Sequence, residues 1–369
     1  MPLQFIVLLI FSAHMGAGYL LPNPLGRYNV TLTTGSLTDY DREARTLMLS
    51  VFQPATCTST VPAFYMPNKT AKHEGPWIQR IFNISADLTP LLADARLHVC
   101  PGDDNCSPLD DGPIILLSPG YRASRLYYNF IASSIASEGF TVITMDHPGE
   151  TNVITYPDGH AVYSNLPNPV NVDELTPLAF IRAADASFIV DQLSNATAMA
   201  NLLPRNKLVR TDRVVMAGQS LGGAAAVLAA DQDSRICGVI NWDGPSFGPL
   251  SSSGLSKPVL YVATDRPDDF RSLAAWPELK GPKLWIKIAD SLHEGMLDFS
   301  TLLQAAGQDL GNFSNALGMI PPNEMIEILT AYAVEWANSA FLGTVEGTLL
   351  QGQDSSRFPK VSFVRKGNF

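Results

Sequence analysis

From Pro113 onward, short runs of aliphatic and β-branched residues alternate with stretches whose apolar positions recur at helical spacing. Apolar runs without polar interruption fit strands buried on both faces, and their alternation with helices is the pattern of a largely parallel sheet. Strands are predicted over 114–117, 140–145, 213–217, 239–242, 259–263 and 284–288. Helices are predicted over 125–137, stopped by Gly139, and over 178–193, where Leu178, Ile181, Phe188 and Leu193 fall near one face. Another begins directly after Ser220, and a late one, capped by Asn323, carries Met325, Ile328, Leu329, Tyr332 and Trp336 and ends at Gly343. Before Pro113, antiparallel strands are suggested around 28–33, 47–52 and 96–99. The fold class is α/β: a mostly parallel central sheet with antiparallel N-terminal strands and helices on both faces. No repeat or polar linker divides the chain, so residues 19–345 read as one domain and the polar residues 346–369 as a poorly ordered tail.

The segment 1–18 follows a different pattern. An apolar run from Phe5 to Ala13 is closed by Gly16, Ala17 and Gly18, the layout of a secretory signal peptide, although no Lys or Arg precedes the run. The run is too short to span a bilayer, which takes about 20 residues. No transmembrane segment is expected. Six Asn-x-Ser/Thr sequons, at Asn29, Asn68, Asn83, Asn105, Asn195 and Asn312, agree with export and glycosylation. Four cysteines among 369 residues make no disulfide scaffold, but one bridge among Cys57, Cys100 and Cys106 is expected, with the pairing open. Cys237 opens a buried-looking strand and reads as a core thiol.

Composition narrows the function classes. Charged residues make up 16% of the chain, against about 25% in average globular proteins, which excludes disorder and coiled coils. The formal charge is −10, and no Lys/Arg cluster offers the footprint a phosphate backbone requires, so nucleic acid is not an expected partner. The same lack argues against strong electrostatic attachment to anionic membranes. No CxxC or HExxH spacing supports a metal site, and no cofactor is expected.

Gly218-Gln219-Ser220-Leu221-Gly222 matches the G-x-S-x-G nucleophile elbow, in which a sharp strand-to-helix turn lifts the Ser hydroxyl above a sheet. It follows a predicted strand and precedes a helix of small residues, as that mechanism requires. The alternative is an ordinary glycine-rich turn. Of six histidines only His293 follows the elbow, in the loop after the last predicted strand; His147, in Asp146-His147-Pro148, precedes it, against the order Ser, acid, His. Two acids compete. Asp265 ends the later strand, the commoner position in hydrolases of this fold, among the charged residues Arg266, Asp268 and Asp269. Asp243 ends the earlier strand in a more enclosed setting, between Trp242 and Gly244-Pro245. Oxyanion donors are expected from the backbone N–H groups of Leu221, at a helix N-terminus, and of Tyr121, since Pro119 in Ser118-Pro119-Gly120-Tyr121 cannot donate. Trp242, Phe247, Met296 and Phe299 are candidates for an apolar substrate-binding wall, each equally suited to plain core.

These residues resemble the platelet-activating-factor acetylhydrolase family, the secreted plasma type and its fungal relatives, within the α/β-hydrolase fold. In that family an elbow, an Asp 23 residues later and a His after the last strand form the triad, which maps onto Ser220, Asp243 in Asn241-Trp242-Asp243-Gly244, and His293 in Ser291-Leu292-His293. The resemblance thus implies Asp243 as the acid. The family's oxyanion loop corresponds to Ser118-Pro119-Gly120-Tyr121. Two positions depart from the family: Gln219 stands where His is usual, and Gly120-Tyr121-Arg122 replaces Gly-Leu-Gly, placing a charged side chain beside the acyl site. The resemblance implies a secreted esterase acting without a cofactor on the acetyl ester of an ether or oxidised phospholipid. A general carboxylesterase or polyester hydrolase would use the same triad, and a non-catalytic binding protein would be expected to have broken it.

Overall fold

A computed structural model describes residues 18–369 apart from 85, 103–105, 110–111, 168–173, 204–210, 212 and 355. The expected signal peptide, residues 1–18, lies outside the described residues except for Gly18, and so does Asn105. The central sheet is built from β1 (Asn29–Asp39), β2 (Arg45–Thr56), β3 (Ile114–Ser118), β4 (Thr141–Asp146), β5 (Val214–Gln219), β6 (Ile236–Trp242), β7 (Val259–Ala263), β8 (Lys283–Ile288) and β9 (Val361–Gly367). Its order is β9-β8-β7-β6-β5-β3-β4-β2-β1, with Ser107–Pro108 pairing a short way along β2. The six strands from β8 to β4 run parallel, while β1, β2 and β9 are antiparallel to their neighbours.

Alternation along each parallel strand splits the core in two. Ile115, Leu117, Val215, Ala217, Ile240 and Trp242 join one cluster with α2 (Asn129–Ala136), α5 (Phe299–Ala305) and α6 (Pro322–Leu342). Ile114, Leu116, Val214, Met216 and Val239 join the other with α3 (Leu175–Leu193) and α4 (Leu221–Gln232). Successive strand side chains point to opposite faces, so an uninterrupted apolar run must be covered on both.

Three local expectations are corrected. The tail is not a loose extension: Leu349, Leu350 and Phe358 are buried in the core and β9 pairs with β8. Its outermost position explains the polar sequence, because an edge strand needs only part of one face apolar. Helix α6 is not capped by Asn323; Pro321 stands at the cap and Pro322 opens the helix, where its missing N–H has no intrahelical partner to lose. The strand expected around 96–99, Ala95–Val99, lies in a separate three-stranded sheet with Tyr19–Leu20 and Val61–Phe64. A helix the periodicity did not suggest, α1 (Asn68–Phe82), follows that sheet and carries Pro76 inside it. Cys57 and Cys100 form a disulfide, with Cys106 buried beside them. Among the described residues, no helix is long and apolar enough to cross a membrane.

Candidate active site

The turn after β5 brings the backbone of Ser220 to φ 55°, ψ −122°, a region disfavoured for residues with a side chain. Glycine on either side makes the turn possible: a Cβ on Gly218 would stand 2.2 Å from the Gly222 carbonyl carbon, and one on Gly222 would stand 2.0 Å from the Ser118 oxygen. The Ser220 N–H donates to the Trp242 carbonyl at 2.8 Å and its own carbonyl accepts from Ala224 at 3.1 Å, so strand and helix both hold the turn. Leu221 is the first residue of α4, where an N–H has no partner within the helix.

Parallel strands deliver the other groups to the same edge of the sheet. Asp243 directly follows β6 and His293 lies beyond β8. His293 Nδ1 is 2.6 Å from Asp243 Oδ2, which also accepts from the Thr264 hydroxyl at 3.0 Å; Oδ1 accepts from the Thr264 N–H at 3.1 Å and Arg266 Nε at 3.2 Å. Burial pushes the Asp243 carboxyl up, but the His293 hydrogen bond, the His293 and Arg266 charges and the Thr264 N–H together hold it below its ordinary value. Burial pushes the His293 imidazole down, and the Asp243 hydrogen bond with the Glu294 and Asp243 charges outweighs it, raising its affinity for a proton. Asp265 is not brought to His293: its Oδ2 accepts from the Asp290 N–H at 3.1 Å, a loop-tying role. Arg266, one of the charged residues beside Asp265 in the chain, is exposed and yet a partner of Asp243.

The loop after β3 is held from beneath by a buried arginine. Arg182, on α3 and fully buried, donates through Nη1 to the Pro119 carbonyl and the Ser118 hydroxyl and through Nη2 to the Gly120 carbonyl at 3.0 Å; Glu150 neutralises it, accepting from Nε at 2.9 Å. In a trans peptide the N–H points away from the carbonyl of the same plane. Fixing the Gly120 oxygen on Arg182 therefore turns the Tyr121 N–H to the opposite side. The Gly120 N–H is occupied, donating to the Tyr128 hydroxyl at 3.1 Å. A Cβ on Gly120 would lie 3.5 Å from the Ser220 Cβ, so the loop passes directly against the elbow. His147 is also accounted for: its ring is fully buried between the Ser118 hydroxyl, 2.8 Å from Nε2, and Asp185, 2.7 Å from Nδ1. That arrangement repeats a Ser-His-Asp order in a sealed place, beneath the loop, where it ties β3, β4 and α3 together.

Above the elbow lies a cavity of about 200 Å³ lined at one end by Gln219, Ser220, His293, Glu294, Tyr121 and Arg122. Its other walls are apolar, from Trp77, Ile78, Ile81 and Phe82 on α1, Tyr127, Leu297 and Phe299. Of the four residues expected on an apolar wall, only Phe299 lines the cavity. Trp242 and Met296 are fully buried in the core with α2, α5 and α6, and Phe247 packs in the opposite cluster. Trp242 closes a parallel strand whose alternation points it into the sheet's packing face. The α1 wall escaped the sequence reading, although the spacing of Trp77, Ile78, Ile81 and Phe82 is helical, because Gly75-Pro76 in its middle argues against a helix. Among the described residues, no group of three His, Cys, Asp or Glu side chains could hold a metal ion.

Comparison with known proteins adds to this geometry. The family model of platelet-activating factor acetylhydrolase, isoform II, matches residues 14–173, the part that carries the loop after β3. A probable 1-alkyl-2-acetylglycerophosphocholine esterase of Arthroderma benhamiae is 30% identical over 387 aligned positions, covering 96% of each chain. The platelet-activating factor acetylhydrolase of Gallus gallus is 24% identical over 62% of each chain. Among solved structures, a ferulic acid esterase from Streptomyces cinnamoneus superposes with a TM-score of 0.76 at 25% identity, over 95% of this chain and 100% of that one. A relative matched along nearly its whole length, on an α/β-hydrolase-type fold, settles the assignment: the chain belongs to the platelet-activating factor acetylhydrolase family and is a carboxylic ester hydrolase.

Proposed function

We propose that this esterase hydrolyses a short acyl ester, acetyl foremost, of a 1-alkyl-2-acetylglycerophosphocholine-like or oxidised phospholipid, with Ser220 as nucleophile. The observation that carries the reading is the 2.6 Å contact of His293 Nδ1 with Asp243, made by a histidine that lines the same cavity as Ser220. An ionised Asp243 keeps the proton of neutral His293 on Nδ1 and leaves Nε2 unprotonated, the atom that takes the Ser220 proton as the oxygen attacks the ester carbonyl. The tetrahedral oxyanion would be met by the N–H groups of Leu221 and Tyr121. His293 then gives its proton to the leaving alcohol, accepts one from water, and the acyl group departs as the acid, all with side chains and water alone.

Export is part of the proposal. The Cys57–Cys100 bridge belongs in an oxidising compartment, and the sequon residues Asn29, Asn68, Asn83, Asn195 and Asn312 are all exposed. A broader carboxylesterase is the second reading, favoured by the overall match to a ferulic acid esterase. Hydrolysis of a chromogenic ester series by wild type, Ser220→Ala, Asp243→Asn and Asp265→Asn tests the triad. Losses of about 10⁴-fold are expected for Ser220→Ala and Asp243→Asn, with activity surviving Asp265→Asn. Damage by Asp265→Asn with a harmless Asp243→Asn would reject the assignment. A steep decline beyond acetyl and propionyl favours the phospholipid acetyl ester; a flat profile favours the broader enzyme.

A further inference from the structure

We infer that Arg122 is an anion-selecting residue of the cavity, favouring esters that carry an oxyanion group, a phosphodiester or a carboxylate, near the reacting bond. The inference rests on the reading of Ser220 as nucleophile. Arg122 sits two residues beyond Gly120 on the loop that passes against the elbow, and it lines the same cavity as Ser220 and His293. Its backbone is held at φ 59°, in the left-handed region that favours glycine. Asn152 clamps it there, donating its N–H to the Arg122 carbonyl at 3.0 Å and accepting from Nη2 through Oδ1 at 2.7 Å. Nη1 donates to the Leu166 carbonyl at 3.1 Å. A bulky side chain is thus kept in a disfavoured conformation and fastened at both ends of its fork.

Among the described residues it lacks a directly paired counter-charge. Both fastening atoms are neutral oxygens, Nε is buried with no acceptor in reach, and no carboxylate lies within 4.0 Å of the guanidinium among the described residues. The fully buried arginines are neutralised: Arg182 pairs with Glu150, and Arg125 pairs with Asp146. Neither neighbouring acid pairs with it directly: Glu150 faces Arg182, and Glu74, although it feels the Arg122 charge, is held apart from it by Asn152, whose amide bonds both. Glu294 is the single acid among the cavity's lining residues, and it forms no ion pair with Arg122. The planar fork, with N–H groups left on Nη1 and Nη2, suits carboxylate or phosphate oxygens. The missing partner is supplied by the substrate.

Matched ester pairs test this. One pair is 4-nitrophenyl acetate and a 4-nitrophenyl ester whose acyl chain ends in a carboxylate. The other is a monomeric short-alkyl 2-acetylglycerol ether and its glycerophosphocholine counterpart. In Arg122→Gly, which also relieves the positive φ, and in Arg122→Gln, the ratio of kcat/KM for the member that carries the carboxylate or phosphodiester over the member that lacks it should fall about 10- to 100-fold in at least one pair, with Arg122→Lys intermediate. The pair that responds identifies the source of the anion. Ratios within about 3-fold of wild type in both pairs, for Gly and Gln alike, overturn the proposal. Ser220→Ala, assayed on the neutral members, keeps the two claims apart: persistent hydrolysis there rejects the nucleophile, whereas Ser220-dependent hydrolysis with unchanged ratios rejects Arg122 alone.

Discussion

The side-chain amide of Gln219 stands 3.1 Å from Nε2 of His293, on the lone pair that the proposed mechanism needs for the Ser220 proton. The orientation is fixed from both ends: Gln219 Nε2 also lies 3.3 Å from the His293 carbonyl oxygen, and its Oε1 accepts from the Tyr128 hydroxyl at 3.0 Å. That hydroxyl in turn accepts from the Gly120 N–H. One chain of hydrogen bonds therefore runs from the loop after β3 to the imidazole.

A donor facing Nε2 stabilises neutral His293 and opposes its protonation. In Gln219→Met the donor is gone, so the imidazole should bind a proton more tightly. The acid limb of the pH–kcat/KM profile, governed by a His293 already raised above its ordinary value of 6.5, should move to higher pH by up to about one unit. A limb that stays put, or moves down, would show that the amide does not bear on the base.

Arg182 makes a second prediction, because it aims the loop rather than touching substrate. Arg182→Lys keeps a cation for Glu150 but cannot reach the Pro119 and Gly120 carbonyls together. The Tyr121 N–H loses its fixed direction. Steady-state kinetics should show kcat reduced about 10- to 100-fold with KM changed far less, since an oxyanion forms only on the way to the transition state. A purely structural arginine would lower the yield of folded enzyme and leave kcat per active site intact, which active-site titration distinguishes.

Much of this was readable from the chain and some was not, for identifiable reasons. The strands β3 to β8 announce themselves because burial on both faces demands unbroken apolar runs, and the elbow is legible because its glycines are forced by contacts of 2.0 to 2.2 Å. Partners set by distant segments are different. Nothing near Arg182 in sequence indicates that it reaches residues 118–120, and the choice of Asp243 over Asp265 depends on where the loop after β8 returns. Trp242 misleads because it adjoins Asp243 yet points the other way along a strand. The tail looked polar because β9 lies at the sheet's edge.

The disulfide closes a loop spanning 43 residues between Cys57 and Cys100, which contains α1 and two of the three strands of the small sheet. The chain-entropy model assigns such a loop about 4 kcal/mol. Cys57→Ala/Cys100→Ala should lower the unfolding free energy by an amount of that order, read from urea titrations with and without reductant. Because α1 supplies Trp77, Ile78, Ile81 and Phe82 to the cavity wall, the same variant should lose affinity for longer-chain esters before it loses acetyl ester hydrolysis. Equal stability of variant and wild type under oxidising conditions would contradict the paired cysteines.

Glu74 makes stability depend on pH in a direction unusual for a carboxylate. It sits on α1, fully buried, one turn before Ile78 of the cavity wall. Burial raises its carboxyl from 4.5 to about 7, against the Tyr127 and Asn152 hydrogen bonds to Oε2, while Oε1 has no partner. A group whose folded value lies above its unfolded one holds its proton more tightly when folded. Its stabilising contribution is complete below about pH 4.5 and is lost as pH rises towards 7, with a slope approaching about 1.4 kcal/mol per pH unit within that window. Glu74→Gln removes the titration while its amide oxygen keeps both acceptor contacts. Between pH 4.5 and 7, urea midpoints of wild type should therefore fall relative to those of Glu74→Gln, so that the difference between the two proteins grows with pH. A difference constant across the window would mean that Glu74 keeps the same charge in the folded and unfolded chains.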